Sequence, residues 1–152
     1  MSDHERFMRE ALAEAEAAGE AGQLPIGAVL VLDGEVVSRG RNRHLERRTQ
    51  LAHAELEALY EGGEAAWSRH ADCVLYTTVE PCPMCLGALV MADVPHVVFA
   101  AHDRGGGIGA QVIETVPYVR RHIRTFEGGV LERESLDLIA RYDPELLAFL
   151  QG

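Results

Sequence analysis

Apolar positions recur at helical spacing near the start of the chain. Phe7, Met8, Ala11, Leu12 and Ala15 share one face of a 3.6-residue period, and Ser2 followed by Glu5 fits an S-x-x-E capping box. Gly19 and Gly22 bracket the end of this helix. The pattern then changes. Pro25 to Leu32 is a short apolar run rich in β-branched residues, Asp33-Gly34 is a hairpin turn signal, and Glu35 to Arg39 returns as a second strand. Gly40 to Gln50 is polar and reads as a loop. Leu51 to Glu61 reads as a helix stopped by Gly62-Gly63. Asp72 to Val79 is a third strand, Cys82 to Ala92 a buried helix entered through a Pro-rich turn, and His96 to Ala101 a fourth strand. The glycine-rich segment Arg104 to Gly109 reads as a rim loop with a short helix after it. Arg121 to Phe126 is a fifth strand. Leu131 onward is helical, interrupted at Asp143-Pro144, where Asp suits an N-cap and Pro the first helical position.

Helix, hairpin, then alternating helix and strand predicts an α/β fold: a three-layer α/β/α sandwich around a five-stranded mixed sheet. No repeat, linker or composition shift divides the chain, so residues 1–152 read as a single domain. Runs without charge, such as Pro81 to Ala92, fall short of the ~18 apolar residues of a membrane span. The polar N-terminus MSDHERFMRE has no apolar signal core, so a cytoplasmic location is expected.

Charge bears on partners. The 14 basic residues are all arginine, against 24 acidic residues, for a formal net charge of −10. That balance argues against a broadly basic nucleic-acid surface. Two Arg-rich segments, Arg39 to Arg48 and Arg120 to Arg124, read as solvated faces. Of three cysteines, Cys73 lies in a strand-like run and reads as a small buried hydrophobe. His44, His70 and His102 read as surface or loop residues. Trp67, Phe99 and Phe126 read as core.

The chemistry concentrates in two strings, His53-Ala54-Glu55 and Pro81-Cys82-Pro83-Met84-Cys85. Each lies at the start of a helix, at the sheet edge where α/β folds place their sites. One imidazole and two thiolates suit zinc, and C-x-x-C is a two-thiolate bite. With no fourth protein ligand of obvious spacing, one position is left for water, whose pKa zinc lowers from ~15.7 toward ~7. Glu55, two residues after His53, is placed to move protons without ligating the metal.

H-A-E followed by P-C-x-x-C resembles the cytidine deaminase superfamily of zinc-dependent deaminases. The resemblance extends from about Leu24 to Gly129. LPIGAVLV, RGRN, AHAE and LYTTVEPCPMCLGALVM are similar to its single-domain branch of cytosine, guanine and tRNA adenosine deaminases. It implies one zinc per subunit on His53, Cys82 and Cys85, with Glu55 as the proton carrier. It implies that Asn42 holds the ring through its amide, and that backbone around Ala54, Glu80 and Cys82 contacts the base. It also implies a homodimer or higher oligomer. GALVMADVPHVVFA, with Ala92-Asp93-Val94 where tRNA enzymes carry a Ser-Arg-Ile-like string, looks closer to cytosine deaminase. Asp143 and Glu145 are the late acidic residues available to touch a pyrimidine. The reading is therefore a zinc-dependent aminohydrolase of a free nucleobase, cytosine ahead of guanine. The alternative is a tRNA-specific adenosine deaminase that binds RNA through Arg39 to Arg48. A more remote alternative is a non-catalytic zinc module. One aromatic residue is expected near the mouth of the site.

Overall fold

Strand residues of this chain sort by parity between two apolar layers. Ala28, Leu30, Leu75 and Val97 face one cluster, which includes Ala54, Ala58, Leu86 and Leu89. Their neighbours Val29, Val31, Tyr76 and Val98 face the other, which includes Phe7, Met8, Ala11 and Leu138. This two-residue period with both parities apolar is what a sheet covered on both faces requires. The structure, a computed structural model, describes residues 2–106 and 109–152.

Helix α1 (Asp3–Glu20) begins where the Ser2 hydroxyl accepts the Glu5 N–H at 3.2 Å. Strands β1 (Gly27–Leu32) and β2 (Glu35–Arg41) form an antiparallel hairpin. Its two turn residues, Asp33 and Gly34, both have positive φ (53° and 77°), the type I′ geometry whose twist matches the strands. Short helix α2 (His44–Arg47) and helices α3 (Ala54–Tyr60) and α4 (Gly63–Ser68) follow. Then come β3 (Val74–Val79), α5 (Pro83–Met91) and β4 (His96–Ala101). Helices α6 (Gly109–Thr115) and α7 (Pro117–His122), strand β5 (Thr125–Glu127), α8 (Glu132–Tyr142) and α9 (Pro144–Gln151) complete the chain. The sheet order is β2-β1-β3-β4-β5, with β1 antiparallel to β2 and β3, and β3, β4 and β5 mutually parallel. This is the expected mixed, five-stranded three-layer architecture.

Several element boundaries differ from expectation. The polar segment Gly40 to Gln50 is partly ordered: β2 runs to Arg41 and α2 occupies its middle. The helix expected from Leu51 begins at Ala54, because His53 is extended at the N-cap (φ −78°, ψ 150°). Arg121 belongs to α7, where Pro117 starts a helix; β5 begins only at Thr125, after the Arg124 and Thr125 N–H groups bond to the Pro95 carbonyl. Asp143 does cap α9, its carboxylate accepting the Leu146 N–H at 3.0 Å. Cys73 and Phe99 are buried and Phe126 is half-buried against Phe99, but Trp67 is 80% exposed and not core. Of the glycine-rich segment, residues 107 and 108 lie outside the described residues.

Gly40 matters for the site. A Cβ there would collide with the Ala54 carbonyl and the Ala58 amide, so β2 and the first turn of α3 approach as closely as two backbones can. That approach sets the depth of His53 and Glu55.

Candidate active site

The connections from β2 through α3 to β3 and from β3 through α5 to β4 deliver the chemistry to one sheet edge. β3 ends at Val79, the Glu80 N–H bonds to the Ala101 carbonyl of β4 at 2.8 Å, and the chain turns into α5 with Cys82 at the N-cap and Pro83 at N1. Cys85 lies one turn further on the same face. His53, at the N-cap of α3, meets them: its Nδ1 is 3.6 Å from Cys82 Sγ and 3.4 Å from Cys85 Sγ. All three donor atoms lie within 4.8 Å of one another. Zinc–sulfur and zinc–nitrogen bonds of ~2.3 and ~2.0 Å at tetrahedral angles place N and S roughly 3.5 Å apart. The donor set therefore fits zinc in chemistry and in spacing. It is the one such cluster among the described residues.

The neighbouring thiols shift each other in opposite directions. Cys82 is held down to about 4, chiefly by the hydrogen bond from Cys85. Cys85 is pushed far up by that same bond and by burial. His53 is raised, first by its hydrogen bond with Cys82. A divalent cation binds thiolates and neutral imidazole, so its binding releases the protons these donors carry. Glu55 projects from the first turn of α3, 4% exposed, and burial pushes its carboxyl up to about 7. A carboxyl balanced between its two protonation states near neutral pH is suited to accept and return a proton.

A cavity of about 190 Å³ opens over these groups. Pockets for drug-sized ligands run ~300–1,000 Å³, so this one holds a planar ring and not a whole nucleotide. Asn42, His53, Ala54, Glu55, Glu80 and Cys82 line it, while Cys85 is buried behind. The Glu80 carboxylate is committed elsewhere: it accepts the Asp103 N–H at 3.0 Å and the Gly109 N–H at 3.2 Å, which ties β3 to the loop after β4. Asp103 in turn accepts the N–H groups of Gly105 and Gly106.

The far wall of the cavity was not legible in the sequence. Leu146, Phe149 and Leu150 of α9 line the cavity, and the Arg104 N–H anchors that helix at the Leu150 carbonyl, 2.7 Å away. Phe149, 55% exposed, is the aromatic at the mouth. Nothing local in DPELLAFLQG signals this, since an amphipathic terminal helix looks the same wherever it packs. Asp143 and Glu145 do not reach the cavity; Asp143 is used as a cap.

The Arg39 to Arg48 segment is largely neutralised within the fold. Arg39 and Arg41 pair with Glu14, Arg39 also with Glu10, Arg43 with Glu46 and Arg47 with Glu57. Arg48 and Arg104 are exposed and have no carboxylate within ion-pair distance among the described residues; Arg104 directly follows Asp103, which lines the cavity.

Comparison with known proteins places this geometry. A protein from Bacillus subtilis (strain 168) named tRNA-specific adenosine deaminase is 39% identical over 149 residues, 96% of this chain and 92% of that one. A structure from work on A-to-I editing by tRNA:A34 deaminases at the wobble position is 36% identical with a TM-score of 0.77, covering 88% of this chain and 98% of that one. A guanine deaminase from Bacillus subtilis is 38% identical with a TM-score of 0.62, over only 68% of this chain and 66% of that one. These matches correct the expectation of a free nucleobase substrate, cytosine ahead of guanine, since the curated relatives that are 36–39% identical over 90–96% of this chain carry the tRNA name. The misleading string has a structural explanation. Ala92-Asp93-Val94 closes the C-terminal end of α5, with Asp93 at φ 58° and the Val94 N–H on the Leu89 carbonyl, the opposite end of that helix from the site. It reports a turn and not a substrate. The model of the cytidine and deoxycytidylate deaminase zinc-binding region matches residues 1–101, and the chain belongs to that family of zinc-dependent deaminases acting on C–N bonds.

Proposed function

We propose that this chain is a tRNA-specific adenosine deaminase, one deaminase domain over residues 1–152 that converts adenosine to inosine in an anticodon loop. The observation that carries the reading is the near full-length similarity to a protein of that name, 39% identical over 149 residues. The cavity agrees with it: space for one ring means the base enters alone, flipped out of the loop.

His53, Cys82 and Cys85 hold one zinc per subunit. When bound, zinc supplies a Lewis acid that makes a water nucleophilic at neutral pH. Glu55 takes a proton from the attacking water as its oxygen adds to C6 of the adenine ring, and delivers it to N1. It then passes the second proton to the departing amino group, which leaves as ammonia while the C6 carbonyl forms. Water is consumed and ammonia released, with no change of oxidation state. Asn42 orients the ring with its amide, and the peptide groups at Ala54 and Glu80 border it. Arg48 and Arg104 meet the phosphates that flank the flipped nucleotide. The protein works as a cytoplasmic homodimer, with Tyr60, Trp67 and Met91 at the contact; these are the large apolar groups exposed along one groove. Among the described residues no helix is long and apolar enough to cross a membrane.

The test is inosine formation by zinc-loaded protein on an anticodon stem–loop RNA, run beside cytosine, guanine and adenine. Inosine in the RNA with no ammonia from the bases supports the proposal. Turnover of a base with unmodified RNA overturns it.

A further inference from the structure

Asn42 is 2% exposed, and its carboxamide is held from several sides. Its Oδ1 accepts the Leu24 N–H at 3.3 Å and the His44 N–H at 3.1 Å. Two backbone donors on one atom identify that atom as the oxygen, because an amide NH₂ cannot accept them. His44 Nδ1 approaches the same oxygen at 2.6 Å. An oxygen already serving as acceptor can meet Nδ1 at that distance only if Nδ1 carries the proton. The other end of the amide, Nδ2, has no protein partner among the described residues. No buried side-chain nitrogen or oxygen is left without a hydrogen bond, so Nδ2 reaches accessible space. The space that Asn42 borders is the active-site cavity.

We infer that His44 is a positioning residue for substrate: with its proton on Nδ1, it locks the Asn42 amide so that only the NH₂ donor faces the cavity, and the site selects a ring with an acceptor there. The inference rests on the deaminase reading for its substrate but not for its geometry. Without the imidazole, two backbone donors still hold Oδ1, so the amide stays near its place but rotates more freely. Productive binding of the ring then weakens, while the reacting groups around Glu55 are untouched. A net hydrogen bond of ordinary strength translates into roughly a three- to tenfold loss.

Two measurements decide it. In zinc-loaded protein without RNA, long-range ¹H–¹⁵N correlation should show His44 protonated at Nδ1; a neutral ring protonated at Nε2 alone overturns the inference. This arm needs no substrate and no variant. On an adenosine-containing anticodon stem–loop, His44→Ala should raise KM by roughly three- to tenfold with kcat within about twofold. His44→Asn, whose Nδ2 replaces the Nδ1 donor, should restore KM. An unchanged KM in His44→Ala, or a fall in kcat at constant KM, overturns the inference, provided zinc content and melting temperature match the wild type. If the wild type leaves the RNA unmodified, the proposed function fails, and the His44 tautomer still decides the geometry.

Discussion

Replacing Glu55 with glutamine should stabilise the metal-free protein and abolish its turnover. The side chain is 4% exposed and its carboxyl is shifted from 4.5 up to about 7, chiefly by burial. Each tenfold in proton affinity is worth about 1.36 kcal/mol, so ionising this group in the folded state costs on the order of 3 kcal/mol. The sign follows from linkage. The folded protein binds the proton more tightly than the unfolded chain, so this contribution is absent below pH 4.5. It grows as the pH rises toward 7 and is a full destabilisation above it. Glutamine has the same shape and no charge to desolvate. For a domain of this size, about 3 kcal/mol corresponds to roughly 6–12 °C in melting temperature. Thermal unfolding of chelator-treated wild type and Glu55→Gln at pH 5, 6, 7 and 8 should give curves about a quarter of that amount apart at pH 5 and separated by nearly all of it at pH 8. With zinc restored, the variant should lose inosine formation by about 10²–10⁴-fold, the usual worth of a positioned acid–base group. Equal melting temperatures at pH 8 would refute the burial argument, and retained turnover would refute the proton-carrying role.

Cys82→Ala should lose both zinc and turnover, as read by metal analysis of the purified protein, because it removes the thiolate that lies lowest in pKa. Zinc addition to the wild-type apoprotein in weak buffer should release protons, and release less in this variant. Neutralising Arg48 and Arg104 together should weaken RNA binding and lower the slope of log affinity against log salt by about one per lost phosphate contact. An unchanged slope would place the phosphate contacts elsewhere. Gly40→Ala should destabilise the protein by at least about 1–3 kcal/mol in urea unfolding, since the added methyl strikes the backbone of α3 at Ala54 and Ala58.

Short-range strings decide a large part of this protein. The hairpin was legible because Asp33-Gly34 satisfies a local backbone requirement, positive φ at two successive residues. The metal donors were legible because C-x-x-C and H-x-E place their groups within a single helical turn, whatever surrounds them. The five-stranded sheet was legible because apolar runs of strand length alternate with helical periods. Tertiary structure decided how those pieces are used. Phe149, some sixty residues beyond the cysteines, reaches the cavity only because α9 folds back onto Arg104. The arginines of residues 39–48 looked free to bind RNA, yet Glu10, Glu14, Glu46 and Glu57 take up four of the five. Glu80 lines the cavity, where its backbone is expected against the base, but its carboxylate is spent on holding a loop. His44 looked like a loop residue until the turn at Asn42 set it against the amide oxygen. In each case the residue type permits several partners of similar strength. The choice among them is made by which distant segment the packed sheet brings within hydrogen-bonding range.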